Sequence, residues 1–187
     1  MSFLDKIMAT VMPPESDQDR AEARKRAEAL ASGNGWLAMA LEHHRQIESA
    51  FARARAGIDA AQRKQAMKEL ALILTGHAQA EETVLYPALV EHDEKAHAAL
   101  AYEEQQATKV QMHELEHLDP MSQEWLDKLE HIRGAVLHHM YEEEGTWFVE
   151  LAEKGAAESA ILTQRFTEEF ERYVGRSKIA EPLSERV

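Results

Sequence analysis

His77-Ala78-Gln79-Ala80-Glu81-Glu82-Thr83-Val84-Leu85-Tyr86-Pro87 decides the reading of this chain, because its pattern returns sixty-two residues later as His139-Met140-Tyr141-Glu142-Glu143-Glu144-Gly145-Thr146-Trp147-Phe148. Each copy reads His-x-x-x-Glu-Glu-x-x-apolar-aromatic. On a helix, residues four apart lie one turn apart on one face, so imidazole and carboxylate can reach a common point. Such a pair can hold a transition metal, with the carboxylate able to span two ions. A bare His-x-x-x-Glu is weak: with ten His in a Glu-rich chain, roughly one or two should arise by chance, and four occur, at His44/Glu48, His77/Glu81, His138/Glu142 and His139/Glu143. The repeat of the longer pattern lifts the second and fourth above that background.

Working outward, both copies fall on helical stripes. A helix over 60–91 carries Met67, Leu70, Leu74, His77, Glu81, Val84/Leu85 and Ala88 on one face, and one over 120–153 carries Trp125, Leu129, Ile132, Val136, His139, Glu143 and Trp147. Pro87 should bend the first just beyond its carboxylates, by removing the bond to the Thr83 carbonyl. A helix over 36–56 places His44 on the stripe Leu37, Ala40/Leu41, Ile47, Phe51 and Ala54, and Asp59 with Gln62 resembles a capping box for the next. Asp93 would cap a helix over 94–118, and Asp119-Pro120 would start the one that follows. Four long helices on short connections predict an all-α, antiparallel up-down four-helix bundle, where metal sites form between facing helices. Counting from the turns, His44 and His77 can sit at one height.

Two further helices flank the bundle. Ser16 caps a charged one over 17–31, read as a solvated helix docked by alanines and Leu30, and Ile161/Leu162, Phe166, Phe170 and Tyr173 mark an amphipathic one over 156–174. The expected organisation is an N-terminal helical extension over 1–35, a bundle with its C-terminal helix over 36–175, and a loose tail over 176–187. Ser2 to Met12 is mildly amphipathic but lacks the basic head, apolar run and cleavage site of a signal peptide.

At 187 residues, 44% apolar and 29% charged, the chain reads as one soluble globular domain, with the cytoplasm as default. A net charge of −13 opposes binding to nucleic acid and to anionic membranes, and the absence of Cys excludes disulfides and thiolate metal sites.

The blocks Leu41-x-x-His44-x-x-Ile47, His77-x-x-x-Glu81-Glu82 with Leu85-Tyr86-Pro87, and His139-x-x-x-Glu143-Glu144 with Trp147-Phe148 resemble the hemerythrin-like HHE cation-binding domain, over about residues 36–171. The resemblance implies a non-haem di-iron centre, two Fe ions with an oxo or hydroxo bridge, for which Zn or Mn could substitute. It implies His44, His77 and His139 as terminal ligands and Glu81 and Glu143 as bridging carboxylates. The third bundle helix, over 94–118, departs from the pattern. Thirty-three residues separate His44 from His77, and thirty-three before His139 stands Gln106, where the family has a histidine. Either Glu103 one turn earlier supplies a carboxylate, or the Gln106 position is open or weakly ligated, or the site is incomplete. His113, His117 and Glu94-x-x-His97 read as surface groups, and His43 and His138 as neighbours that point away from the site.

The resemblance implies a small diatomic or peroxide ligand. Carboxylate in place of imidazole favours Fe(III), which ranks redox or oxygen sensing and peroxide handling above reversible O₂ carriage or storage. A regulatory or adaptor bundle, with a purely structural metal and a protein partner, is the alternative. No nucleophile constellation or nucleotide fingerprint settles whether the protein is an enzyme.

Overall fold

A computed structural model describes residues 15–92 and 94–180, with the side chains of 176–180 left out. The N-terminal amphipathic segment, Pro13-Pro14, the Asp93 cap and the tail beyond 180 lie outside the described residues. Among the described residues six helices run in order: α1 (Asp17–Ala31), α2 (Gly35–Ala56), α3, α4 (Lys95–Glu116), α5 and α6 (Ser159–Ala180). α3 begins as Ala60–Ala80, passes through a π-helical turn over Glu81–Leu85 and ends as Tyr86–Glu91. α5 repeats this as Gln123–Glu142, Glu143–Trp147 and Phe148–Lys154.

The helix starts follow from local chemistry. Ser16 and Asp19 form a reciprocal capping box. Asp59 accepts from the Gln62 amide, while the Gln62 side chain takes the Ile58 N–H. Asp119-Pro120 does not open α5 as expected. Asp119 accepts from Met121 and Ser122 in a turn, and Ser122 becomes the cap. α6 runs past the expected end at Val174, to Ala180.

α2 through α5 form the bundle, with α2 against α3 and α5, and α4 against α5. The first segment of α3 barely meets α4; only its last segment, Tyr86–Glu91, packs there. α6 lies outside against α2 and α3, and Gly76 admits the rings of Phe170 and Tyr173, which a β-carbon would crowd at 3.2 Å. α1 lies across α2 and the π turn of α5.

The core is split. One apolar half holds Trp36, Leu37, Leu41, Leu85, Trp147 and Phe148, the other Ile47, Phe51, Leu70, Leu115, Trp125 and Ile132. Each such side chain contributes roughly 1.5–3 kcal/mol by leaving water. Between the halves His44, His77, Glu81, Gln105, His139 and Glu143 are all buried, a polar layer across the bundle. Buried ionisable groups are costly unless they are paired or bound to an ion.

Candidate metal centre

The two π turns begin at the two predicted carboxylates. The Tyr86 N–H reaches back to the Glu81 carbonyl and the Phe148 N–H to the Glu143 carbonyl, one residue further than in an α-helix. Pro87 is not the general cause, since α5 has the same turn without a proline. In the π register the carbonyl that Pro87 cannot serve is that of Glu82 rather than Thr83, and the Tyr102 hydroxyl donates to it at 2.5 Å. The turn also has a consequence for the site. Five residues of α-helix rotate about 500°, which would leave Tyr86 about 140° round from Glu81. The wider turn brings it back to the same face.

His44, His77, Glu81 and Glu143 each present a ligand atom within 4.8 Å of the others. His44 Nε2 lies 3.1 Å from His77 Nε2, 3.3 Å from Glu143 Oε2 and 4.0 Å from Glu81 Oε1; the last is 2.9 Å from His77 Nε2. Glu81 Oε1 and Glu143 Oε2 have no aligned hydrogen-bond partner, although both are buried. Two imidazole nitrogens on one ion at about 2.0–2.1 Å would sit roughly 3 Å apart. The donor set and its unsatisfied oxygens therefore fit a cation.

His139 stands on the other side of the carboxylates. Its Nε2 is 3.3 Å from Glu143 Oε1 and 3.1 Å from Tyr86 Oη. Tyr86 Oη donates to Glu143 Oε1 at 3.0 Å and lies 3.4 Å from Glu81 Oε2. Each carboxylate thus turns one oxygen toward the His44–His77 pair and the other toward His139 and Tyr86.

Two of the histidines are oriented from behind. His44 Nδ1 is 2.7 Å from Glu144 Oε1 and His139 Nδ1 is 2.8 Å from Glu104 Oε2, which favours tautomers that leave Nε2 facing the centre. The carboxylates set the electrostatics. Burial pushes His44 down, but Glu143 and Glu144 together outweigh it and hold the imidazole up at about 9. His139 is also raised, burial being outweighed by Glu143 and Glu104. Burial raises Glu81, with the Glu143 charge adding to it, and Tyr86 is raised by burial and then by the Glu143 and Glu81 charges. His77 is driven well down by burial and then by His44. Glu143 is lowered, because His139 and His44 overcome its own burial. The centre of the layer draws positive charge.

α4 corrects the sequence reading. Gln106 is exposed, 3.4 Å from Glu82 Oε1, and Glu103 is exposed as well; neither faces the centre. Gln105 does. Its Nε2 is 2.6 Å from Tyr86 Oη, 2.7 Å from Glu81 Oε2 and 3.5 Å from His139 Nε2. The connection at 117–122 is three residues longer than that at 57–59, while the helical stretches on either side of it are each one shorter, so counting thirty-three residues back from His139 lands one residue late. On a helix one residue is about 100°, enough to turn a side chain from core to solvent.

The remaining histidines keep their distance. His43 is buried but turned toward α6, stacked on Phe170 at 4.0 Å between ring centres, and burial lowers it to about 3. His138 meets Glu15 at 2.9 Å. His113 and His117 are exposed, their rings 4.5 Å apart. His97 lies between Glu94 and Glu150 at 3.2 and 3.3 Å, a half-buried cluster in which Lys154 also pairs with Glu94. His113→Ala and His117→Ala should each change metal content by less than a tenth, as read by elemental analysis. Of the partners of the centre, Tyr86 and Glu144 stood within the quoted motif but lay off an α-helical face. Glu104 and Gln105 had no periodic signal at all.

A cavity of about 310 Å³ opens where α3 and α4 part. Leu74, Ala78, Met112, Val136 and Met140 line it, and His77, Gln105 and His139 reach it from the polar layer. It therefore borders the polar layer at these three side chains.

A protein described as a DNA nickase, from Nostoc sp. (strain PCC 7120 / SAG 25.82 / UTEX 2576), is 29% identical over 110 residues, which cover 59% of this chain but only 30% of that relative. No solved structure matches. The family model described as the hemerythrin HHE cation-binding domain matches residues 37–151, which span α2 through most of α5, and the chain belongs to that family.

Proposed function

We propose that the polar layer holds two metal ions, iron in the first place, and that the protein uses them toward O₂, peroxide or NO in redox or oxygen sensing or in peroxide handling. The observation that supports this most is the convergence of the His44 and His77 Nε2 atoms with unpartnered oxygens of Glu81 and Glu143, while the other oxygens of those carboxylates face His139 and Tyr86. His44 and His77 would serve one ion and His139 the other, with Glu81 and Glu143 shared. When bound, two irons supply two electrons and open coordination positions. Glu144 and Glu104 hold the two imidazoles in orientation. The apolar halves of the core exclude water from the layer on both sides. Gln105 and the Tyr86 hydroxyl are the hydrogen-bonding groups next to the second position.

The ranking of sensing or peroxide chemistry over carriage rests not on a carboxylate from Glu103, which faces solvent, but on the lack of an imidazole from α4 beside His139, where Gln105 stands. The nickase activity named for the relative belongs to a protein of which this chain matches 30%, and a net charge of −13 opposes a DNA backbone. Elemental analysis of the protein as purified and after anaerobic loading with Fe(II) tests the reading. About two irons per chain are expected, and a reconstituted protein that retains none would sink it. Tyr86→Phe should keep the His44–His77 ion and lose the other, so that the ratio falls from about two toward one. An unchanged ratio would remove Tyr86 from the second position.

A further inference from the structure

The N-terminal helix α1 lies outside the matched family segment, yet one of its side chains reaches the metal layer. Arg24 donates from Nε and Nη2 to Glu144, at 2.8–3.1 Å, and from Nη1 and Nη2 to Glu48, at 3.0 and 2.8 Å. Glu144 is 2% exposed and its Oε1 is 2.7 Å from His44 Nδ1. Glu48 lies one turn beyond His44 on α2. The guanidinium therefore ties α1 to the carboxylate that orients a candidate ligand and to the helix that carries it.

α1 is also held by Leu30 and Ala31 against the core and, just before the helix starts, by Glu15 at 2.9 Å from His138. Its buried residues are Ala23 and Ala27, and Ala23 packs where Gly145 in the π turn leaves room. The Arg45–Glu28 pair is solvent-exposed, and exposed pairs add little. A planar guanidinium that serves two carboxylates is a geometry a lysine reproduces only in part. Without Arg24, Glu144 would keep His44 as a partner but lose the guanidinium that fixes where its carboxylate stands.

We propose that Arg24 is a positioning residue and that the docking of α1 is coupled to metal occupancy through Arg24, Glu144 and His44. The inference rests on the reading of His44 as a metal ligand. Docked α1 fixes Glu144, and Glu144 fixes His44 with Nε2 toward the ion. Linkage is reciprocal, so an ion on His44 must favour docked α1 by the same factor. The helix becomes a detachable reporter of the state of the centre, outside the family domain but wired to it.

The test uses the full chain, with Zn(II) as a redox-inert probe, in the wild type, Arg24→Gln, Arg24→Lys and Arg20→Gln. Arg20 also lies on α1 but pairs only locally, with Glu15 and Asp17. Competition against a chromophoric chelator gives affinity, and hydrogen exchange of residues 17–31 gives docking. In the wild type zinc should slow exchange across α1. Arg24→Gln should weaken zinc about 10–100-fold, the range for loss of an outer-shell partner, and remove the slowing. Arg24→Lys should recover part of both, and Arg20→Gln should match the wild type. Equal affinity in Arg24→Gln and wild type, or α1 exchange indifferent to zinc in the wild type, overturns the coupling alone. A wild type that takes up no ion overturns the metal reading, and the coupling falls with it.

Discussion

Glu143→Ala is expected to lose both ions and to destabilise the metal-free protein by about 3–5 kcal/mol, the cost of breaking a buried charge pair from one side. Its carboxylate spans the layer from His44 on one side to His139 on the other. Oε1 receives the Tyr86 hydroxyl and faces His139, while Oε2 faces His44. Removing it leaves two raised imidazoles without the carboxylate that most supports them. Chelation of the wild type should lower its melting temperature, because an ion that binds only the folded chain stabilises it. Glu143→Ala should start lower and show no such response. Glu103→Ala, on the solvent face, is the control and should behave as wild type. Metal content by elemental analysis and melting with and without chelator read both effects. A Glu143→Ala protein that keeps wild-type metal content would remove Glu143 from the centre.

The sequence carried the bundle because its helices are long, its stripes regular and its caps explicit: Ser16, Asp59 and the 3.6-residue apolar spacing around His44, His77 and His139 needed no tertiary information. The five buried groups His44, His77, Glu81, His139 and Glu143 were legible for the same reason, since ionisable side chains on an apolar stripe stand out. What was not legible depended on departures from ideal geometry. Tyr86 reaches the centre only because of the π turn, and no residue pattern announces an i,i+5 bond. Gln105 and Glu104 were hidden by a connection at 117–122 that breaks the equal spacing of the two halves. Arg24 sits on a helix with few apolar residues, where nothing local separates a buried guanidinium from a solvated one. Helix placement is a property of a segment; which of two adjacent residues faces a site is set by the loops that fix its register.

Gln105→His should therefore do what the spacing of the repeat assigned to Gln106. In the folded chain the Gln105 amide nitrogen points at Tyr86 Oη and Glu81 Oε2, and its own Oε1 is buried without a hydrogen-bond partner. An amide so turned offers N–H groups, not a lone pair, to the position beside His139. Imidazole offers a lone pair, and neutral nitrogen is a better donor to Fe(II) than an amide oxygen. The substitution should tighten the second ion by roughly tenfold or more and slow oxidation of the reduced, iron-loaded protein, since nitrogen ligation stabilises the lower oxidation state. Gln106→His, on the solvent face, should shift neither quantity by more than about twofold, the size of ordinary surface effects. Stepwise Fe(II) titration against a chelator and anaerobic mixing with buffered O₂ measure the two quantities on both variants. If Gln106→His has the larger effect, α4 is turned one residue from the register in which Gln105 faces the centre. If Gln105→His loses the second ion while the first stays, the amide holds Tyr86 and Glu81 in place by hydrogen bonding, and its donors rather than a vacant ligand position are what the centre needs from α4.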